Sequence, residues 1–342
     1  MKAQQNAIIA GVTAGHVARK IKKTMEKMKR VLILDGTNNF YRAFVVDPSM
    51  SANGKPIGGV KGFLKILQKL IREIKPDQVV ICWDGAGGSQ RRRQMNKNYK
   101  GGRKAIRLNR NNSMLTQEEE MENRVDQQLR LIEYINHMPI AQFVFDNVEA
   151  DDLIAAANHE YKGWQKVIVS SDKDFFQLLD DETILLRPIQ KKIYNKNILI
   201  EEYGIHPTNF ALARAIAGDK SDNLPGVPGA GLPTVAKRFP YLAEEKDYTT
   251  NDLVSTCLHE EKPLKVHERI IENEKLIKEN YKIMQLYNPL VSPQNRDKVR
   301  HVISNYPKSF SKTEIRKMML IDGFPELSWH DLFAAFNRIA LT

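Results

Sequence analysis

Val31-Leu32-Ile33-Leu34-Asp35 decides the fold class. A short run that is apolar throughout reads as a strand covered on both faces, the pattern of a parallel sheet; a strand with one wet face would alternate. The run recurs along the chain. Residues 78–83, 140–145 and 166–170 read as further strands and 183–186 as a fifth, with helical spacing between most of them. In 60–74, for example, Phe63, Ile66, Leu67, Leu70, Ile71 and Ile74 share one helix face. Strand–helix alternation of this kind predicts an α/β domain with a mainly parallel sheet. After about residue 200 the strand signals stop, and 207–218, 234–239, 267–287, 312–321 and 329–339 read as helices. The expected organisation is a flexible basic extension over 1–29, an α/β domain over 30–200 and an all-helical domain over 201–342.

The 342 residues leave room for two domains, and 42% hydrophobic with 27% charged residues is a globular composition. No run of 18 apolar residues occurs, which excludes a membrane-spanning helix of the usual length. Cys82 and Cys257 are far apart and fit neither a disulfide framework nor a zinc-ligand spacing. The net charge of +11 is unevenly placed: residues 85–117 hold nine cations and no acid, residues 1–30 carry +7, and the rest is left at −5. Two basic segments on a mildly acidic body point to a polyanionic partner.

The acids have a pattern of their own. Asp35 ends the first strand run and Asp84 follows the second; Glu149, Asp151 and Asp152 come just after the third and open a helix; Asp172 and Asp174 follow the fourth. A single Asp after a strand is commonly a turn former or a helix cap, but caps need one acid per element and this chain supplies clusters. In open α/β sheets functional sites collect beyond the carboxyl ends of the strands, and carboxylates gathered there repel one another unless cations are bound. Oxygen donors without Cys or His point to Mg²⁺ or Mn²⁺, two of which serve in-line displacement at phosphorus. Asp219 and Asp222, three apart in the helical half, share one face of a turn and could complete a second metal site.

Gly226-Val227-Pro228-Gly229-Ala230-Gly231 has helical sequence on both sides and no Gly-Lys-Ser/Thr ending, so it is neither a dinucleotide fingerprint nor a P-loop. A glycine hairpin between helices can instead bring backbone N–H groups to phosphates, with Lys237 and Arg238 one turn on supplying charge. The basic run 85–117 cannot pack a core of its own and reads as a tracker of single-stranded backbone, with Tyr99 able to stack on a base. Gly87-Gly88 and Gly101-Gly102 disfavour a continuous helix there.

Five motifs in order carry a resemblance: Leu34-Asp35-Gly36-Thr37-Asn38-Asn39-Phe40-Tyr41-Arg42, Trp83-Asp84-Gly85, Val148-Glu149-Ala150-Asp151-Asp152, Ser170-Ser171-Asp172-Lys173-Asp174 and Gly218-Asp219-Lys220-Ser221-Asp222-Asn223-Leu224-Pro225-Gly226-Val227-Pro228-Gly229. Over about 30–245 the chain resembles the 5′-nuclease superfamily of flap endonucleases, polymerase-linked 5′-nuclease domains and bacteriophage 5′–3′ exonucleases. The resemblance implies a PIN-like nuclease domain with a helical arch over about 85–125, then a helix–three-turn–helix DNA-binding unit over about 216–240. It implies Asp35, Asp84, Glu149 and Asp151 around a first Mg²⁺ and Asp172, Asp174, Asp219 and Asp222 around a second, with Asp152 near both and Mn²⁺ able to substitute. Lys100, Arg103 and Arg42 would offset charge developing on phosphorus. Tyr41, Arg91, Arg92, Arg93, Lys97, Tyr99, Lys104, Lys220, Gly226, Gly229, Gly231 and Lys237 would meet DNA, and K⁺ could bind the hairpin carbonyls.

The implied activity is a 5′–3′ exonuclease and flap endonuclease, with RNase H activity, acting as a monomer on 5′ flaps, free 5′ ends or RNA–DNA hybrids. The implied setting is bacteriophage DNA replication in the cytoplasm of a bacterial host, away from any membrane. Two other readings remain open: a PIN-type ribonuclease, which needs no duplex hairpin, and an inactive DNA-binding protein of the same fold, which would have lost some of the nine acids.

Overall fold

The computed structural model describes residues 28–101, 115–325 and 328–341. Six strands form one sheet in the order β3-β2-β1-β4-β5-β6. They are β1 (Arg30–Asp35), β2 (Gln78–Cys82), β3 (Ala141–Phe143), β4 (Gln165–Val169), β5 (Thr183–Arg187) and β6 (Lys192–Tyr194). The first five run parallel, as their apolar runs predict, and β6 pairs antiparallel with β5. That last strand is absent from the sequence reading, because three residues with two exposed side chains carry no burial pattern. Val31, Leu32, Ile33 and Leu34 are all fully buried. The chain leaves β1 towards β2 and β3, then crosses back to place β4 on the other side of β1. The strand order therefore reverses between β1 and β4, the position where α/β sheets open a crevice at their carboxyl edge.

The helices are α1 (Gly36–Val46), α2 (Gly58–Ile74), α3 (Gln90–Met95), α4 (Gln117–Asn136), α5 (Ala150–Glu160), α6 (Lys196–Tyr203), α7 (Pro207–Ala217), α8 (Leu232–Arg238), α9 (Thr250–Leu258), α10 (Lys265–Glu272), α11 (Glu274–Met284), α12 (Pro293–Ser304), α13 (Lys312–Ile321) and α14 (Trp329–Leu341). Local chemistry starts several of them. Asp35 caps α1 by accepting from the Asn38 N–H, a Thr116–Glu119 capping box opens α4, and Pro207 occupies the first turn of α7. The stretch expected as one helix over 267–287 is two, α10 and α11, broken at Asn273.

Of the arch expected over 85–125, the described part is the six-residue α3, the turns up to Gly101 and the start of α4. Gly87 at φ +67° precedes α3 in a conformation L side chains rarely adopt. The extension over 1–27 and residues 102–114 lie outside the described residues. The C-terminal helices return to the α/β half: α14 packs on α2, and α12 packs on α5 and β3. One hydrophobic core includes residues from Val31 to Ile339.

Candidate metal centre and nucleic-acid interface

The switch between β1 and β4 is tied across by two side chains. Ser170 after β4 donates its hydroxyl to Asp35 Oδ2 at 2.8 Å, and the Asn39 amide donates to the carbonyls of both Asp35 and Val169. Asp84, beyond β2, accepts the Ala150 N–H at 2.8 Å and so binds that strand end to the first turn of α5. Asp172 accepts the Asp174 N–H at 2.8 Å. Asp174, Asp219 and Asp222 each present a carboxylate oxygen, all within 4.8 Å of one another.

Burial pushes the Asp35 carboxyl up to about 7, with the charges of Asp84 and Asp172 adding to it. Asp174 is also pushed up to about 7, by burial first and Asp172 second, against the pull of Arg214. Asp151 stands well above its ordinary range through burial and the charges of Asp172, Asp35 and Glu149, with Lys100 opposing. Asp172 is raised by burial, then by Asp222 and Asp219. It is thus Asp172 that feels the charges of one group and is felt by the other, so the two groups form one continuous acidic crevice. Among the described residues no cation lies within ion-pair distance of Asp35, Asp151 or Asp172. Clustered, enclosed oxygen donors with too little positive charge between them fit hard divalent cations.

Asp152, expected near both ions, is held by protein groups. Its two oxygens are engaged by Arg92, at 2.7 and 3.2 Å, and by the Leu290 N–H at 2.9 Å. Arg92 was expected to meet DNA, but it is 3% exposed and ion-paired with both Glu149 and Asp152. Burial works against its charge, and the two carboxylates more than offset this, raising it. Tyr99, expected to stack on a base, is likewise buried, against Leu224, Ile283 and Met284, with its hydroxyl 3.3 Å from Glu149. The reason is the same in both cases: the base of the basic segment packs onto α5 and α11, where only internal partners are available.

Lys100 sits with φ +56° and places Nζ 2.6 Å from Glu149 Oε1. Burial alone would raise Glu149; Lys100 and Arg92 reverse that and hold it below the ordinary carboxylate range. Arg42 on α1 has one guanidinium nitrogen enclosed without a hydrogen-bond partner, and burial lowers its pKa. Tyr41 beside it is half-buried, its ring 5.9 Å from the Arg124 guanidinium. Arg91 donates to the Leu290 carbonyl, while Arg93 and Lys97 are exposed. Arg103 and Lys104 lie outside the described residues.

In the helical half, α7 and α8 flank the turns over 218–231, where the hairpin unit is expected. Gly226 is placed there by packing: a Cβ on it would come within 2.1 Å of the Ala217 carbonyl oxygen. Gly229 at φ +80° and Gly231 are exposed, as are Lys220 and Lys237. Two arginines were missed in the sequence. Arg214 bridges Asp174, at 3.1 Å, and Asp219, and Arg269 donates to the Pro228 carbonyl beside Gly229. Only Arg214 left a signal, the lone charged residue of α7, one turn before Gly218.

A mainly parallel sheet with an acidic crevice at its switch point, continued by a helical C-terminal region, is the architecture of the 5′-nuclease superfamily. More particularly, the model of the 5′-3′ exonuclease N-terminal resolvase-like domain matches residues 30–204, and the chain belongs to that family. The 5′-3′ exonuclease of Aquifex aeolicus is 30% identical over 211 residues, 60% of this chain and 68% of that protein. DNA polymerase I of Streptococcus pneumoniae is 33% identical over 223 residues, 61% of this chain but 23% of the polymerase, so the chain spans under a quarter of that relative. A bacteriophage T5 flap endonuclease, in a pseudo-enzyme–product complex with DNA and metal ions, superimposes with a TM-score of 0.66 at 21% identity. That match covers 82% of this chain and all of the other, and it is a likeness of fold. No helix among the described residues is long and apolar enough to cross a membrane.

Proposed function

We propose that the chain is a divalent-metal-dependent 5′–3′ exonuclease and flap endonuclease. The observation that carries this is the convergence of acids from three strand ends, the start of α5 and the turn after α7 on one crevice, in a chain of this family. Asp35, Asp84, Glu149 and Asp151 would hold one Mg²⁺ and Asp172, Asp174, Asp219 and Asp222 another, with Mn²⁺ an adequate substitute. When bound, two such ions supply charge stabilisation to the attacking and leaving oxygens of an in-line displacement. The chain's own groups do the rest. Lys100 reaches the crevice and offsets charge developing on phosphorus, with Arg42 and Arg103 as companions. The exposed Gly229–Gly231 tip, Lys220 and Lys237 contact duplex phosphates, and Arg93, Lys97 and Lys104 gather the single-stranded 5′ arm. Substrates are DNA with a 5′ flap or free 5′ end and RNA–DNA hybrids, cut by a monomer in bacterial or bacteriophage DNA replication. Backbone carbonyls of the hairpin are the candidate K⁺ site.

A panel of 5′-flap DNA, nicked duplex, single strand and RNA–DNA hybrid, with Mg²⁺ or EDTA, tests the reading. Flap cleavage is expected with Mg²⁺ and none with EDTA. Cleavage without divalent metal, or undiminished by Asp172→Asn, would sink it, and a preference for linear single-stranded RNA would favour a ribonuclease.

A further inference from the structure

Three parts of the chain meet on the Arg92 guanidinium. Nε donates to the Ile283 carbonyl at 2.9 Å, in the last turn of α11. Nη1 is shared between Glu149 and Asp152, and Nη2 completes a fork onto Asp152. Arg91 beside it donates to the Leu290 carbonyl, whose own N–H donates to Asp152. A planar fork that serves two carboxylates and a carbonyl at once is a geometry lysine cannot reproduce.

We propose that Arg92 is a positioning residue for the metal site: it orients the Glu149 carboxylate, takes Asp152 as counter-ion, and is anchored on α11. The inference rests on the reading of Glu149 as a metal ligand. An arginine touching a ligand carboxylate would ordinarily compete with the cation for it. Asp152 removes that competition by neutralising the guanidinium, so the pair holds Glu149 in place without discharging it. The ninth acid of the crevice then serves the arginine, and the eight others serve the ions. The anchor also joins two sites. Asn280 on α11 donates its amide to the Ala215 and Pro225 carbonyls of the hairpin unit, at 3.0 and 2.8 Å. The helix that steadies the duplex hairpin thus steadies a metal ligand through Arg92.

The test uses the full chain. Mn²⁺ is titrated calorimetrically, flap cleavage is followed against Mn²⁺ concentration, and thermal unfolding is measured in EDTA. Arg92→Lys keeps the charge and loses the fork; its Mn²⁺ affinity should fall about 10- to 100-fold, as for other partners that orient metal ligands. Its KM for flap DNA should stay near the wild-type value and its kcat should recover as Mn²⁺ is raised. Asp152→Asn should weaken Mn²⁺ binding similarly, and it carries the comparison if Arg92→Lys does not fold. An Arg92→Lys protein with a lower unfolding midpoint but unchanged Mn²⁺ affinity would overturn the proposal in favour of a purely structural role. Lost affinity for the single-stranded 5′ arm with intact Mn²⁺ binding, the pattern expected of Arg93→Ala, would overturn it in favour of a DNA contact. Wild-type protein that binds no Mn²⁺ would remove the underlying reading, and the proposal with it.

Discussion

Asp35 and Asp174 set the electrostatic character of the crevice at the scale of single residues. Both are pushed up to about 7 in the fold, from the 3.8 of a free carboxyl. Between those values the folded chain holds more protons than the unfolded one, so their contribution to stability falls as pH rises through that window. Glu149 and Asp219, lowered in the fold, act in the opposite sense below about 4. Metal-free protein should therefore unfold at a lower temperature at pH 7.5 than at pH 5, and Mg²⁺ should raise the midpoint more at pH 7.5. Equal midpoints and equal metal shifts at the two pH values would contradict this. Lys100→Ala tests one of the two cations paired with Glu149. Removing an electrostatic stabiliser costs about 10²–10³ in kcat, and duplex affinity should change far less; equal losses would reduce Lys100 to a phosphate contact.

At the scale of elements, the hairpin unit separates glycines held by packing from glycines held open to solvent. Gly226→Ala drives a methyl group into the Ala217 carbonyl and should cost about 1–3 kcal/mol, read by denaturant unfolding, and weaken duplex binding. At Gly231 the nearest atom to an added Cβ is 3.9 Å away, so Gly231→Ala should leave stability within about 0.5 kcal/mol. Element identity was largely legible in the sequence. The apolar runs locate β1, β2, β4 and β5 to within a residue or two, because strands buried on both faces have no polar positions to confuse the pattern. The sequence reading left out β6 and the helices α6, α9 and α12. β6 is too short and exposed to leave a pattern, and α12 begins Pro293-Gln294-Asn295-Arg296-Asp297-Lys298 and fully buries only Val299, so it carries little apolar periodicity.

At the scale of the whole molecule, the return of the C-terminal helices is sealed by Tyr306. Its hydroxyl lies 2.8 Å from the Val79 N–H, 3.0 Å from the Val79 carbonyl and 2.8 Å from that of Pro139. Tyr306→Phe leaves buried backbone groups unpaired and should destabilise by about 1–3 kcal/mol, measurable as a shifted denaturation midpoint without loss of fold. The basic surface acts over the same scale. Duplex affinity should fall linearly with salt on logarithmic axes, and Lys237→Ala should reduce that slope by about one contact; an unchanged slope would remove Lys237 from the interface. Comparing K⁺ with equimolar Na⁺ in the same assay tests the hairpin cation site.

The sequence by itself determined the sheet, the strand ends that carry acid and the helical character of the second half. Each of these is written in residues a few positions apart, where periodicity and clustering are visible. Only the tertiary structure decided the fate of Arg92, Tyr99 and Asp152. The partners of Arg92 lie 57 positions away at Glu149 and 191 away at Ile283, and Tyr99 meets Glu149 across 50 positions. A cation in a basic run looks the same in sequence whether it faces a phosphate or an interior carboxylate. What separates the two is desolvation, which depends on what packs around it.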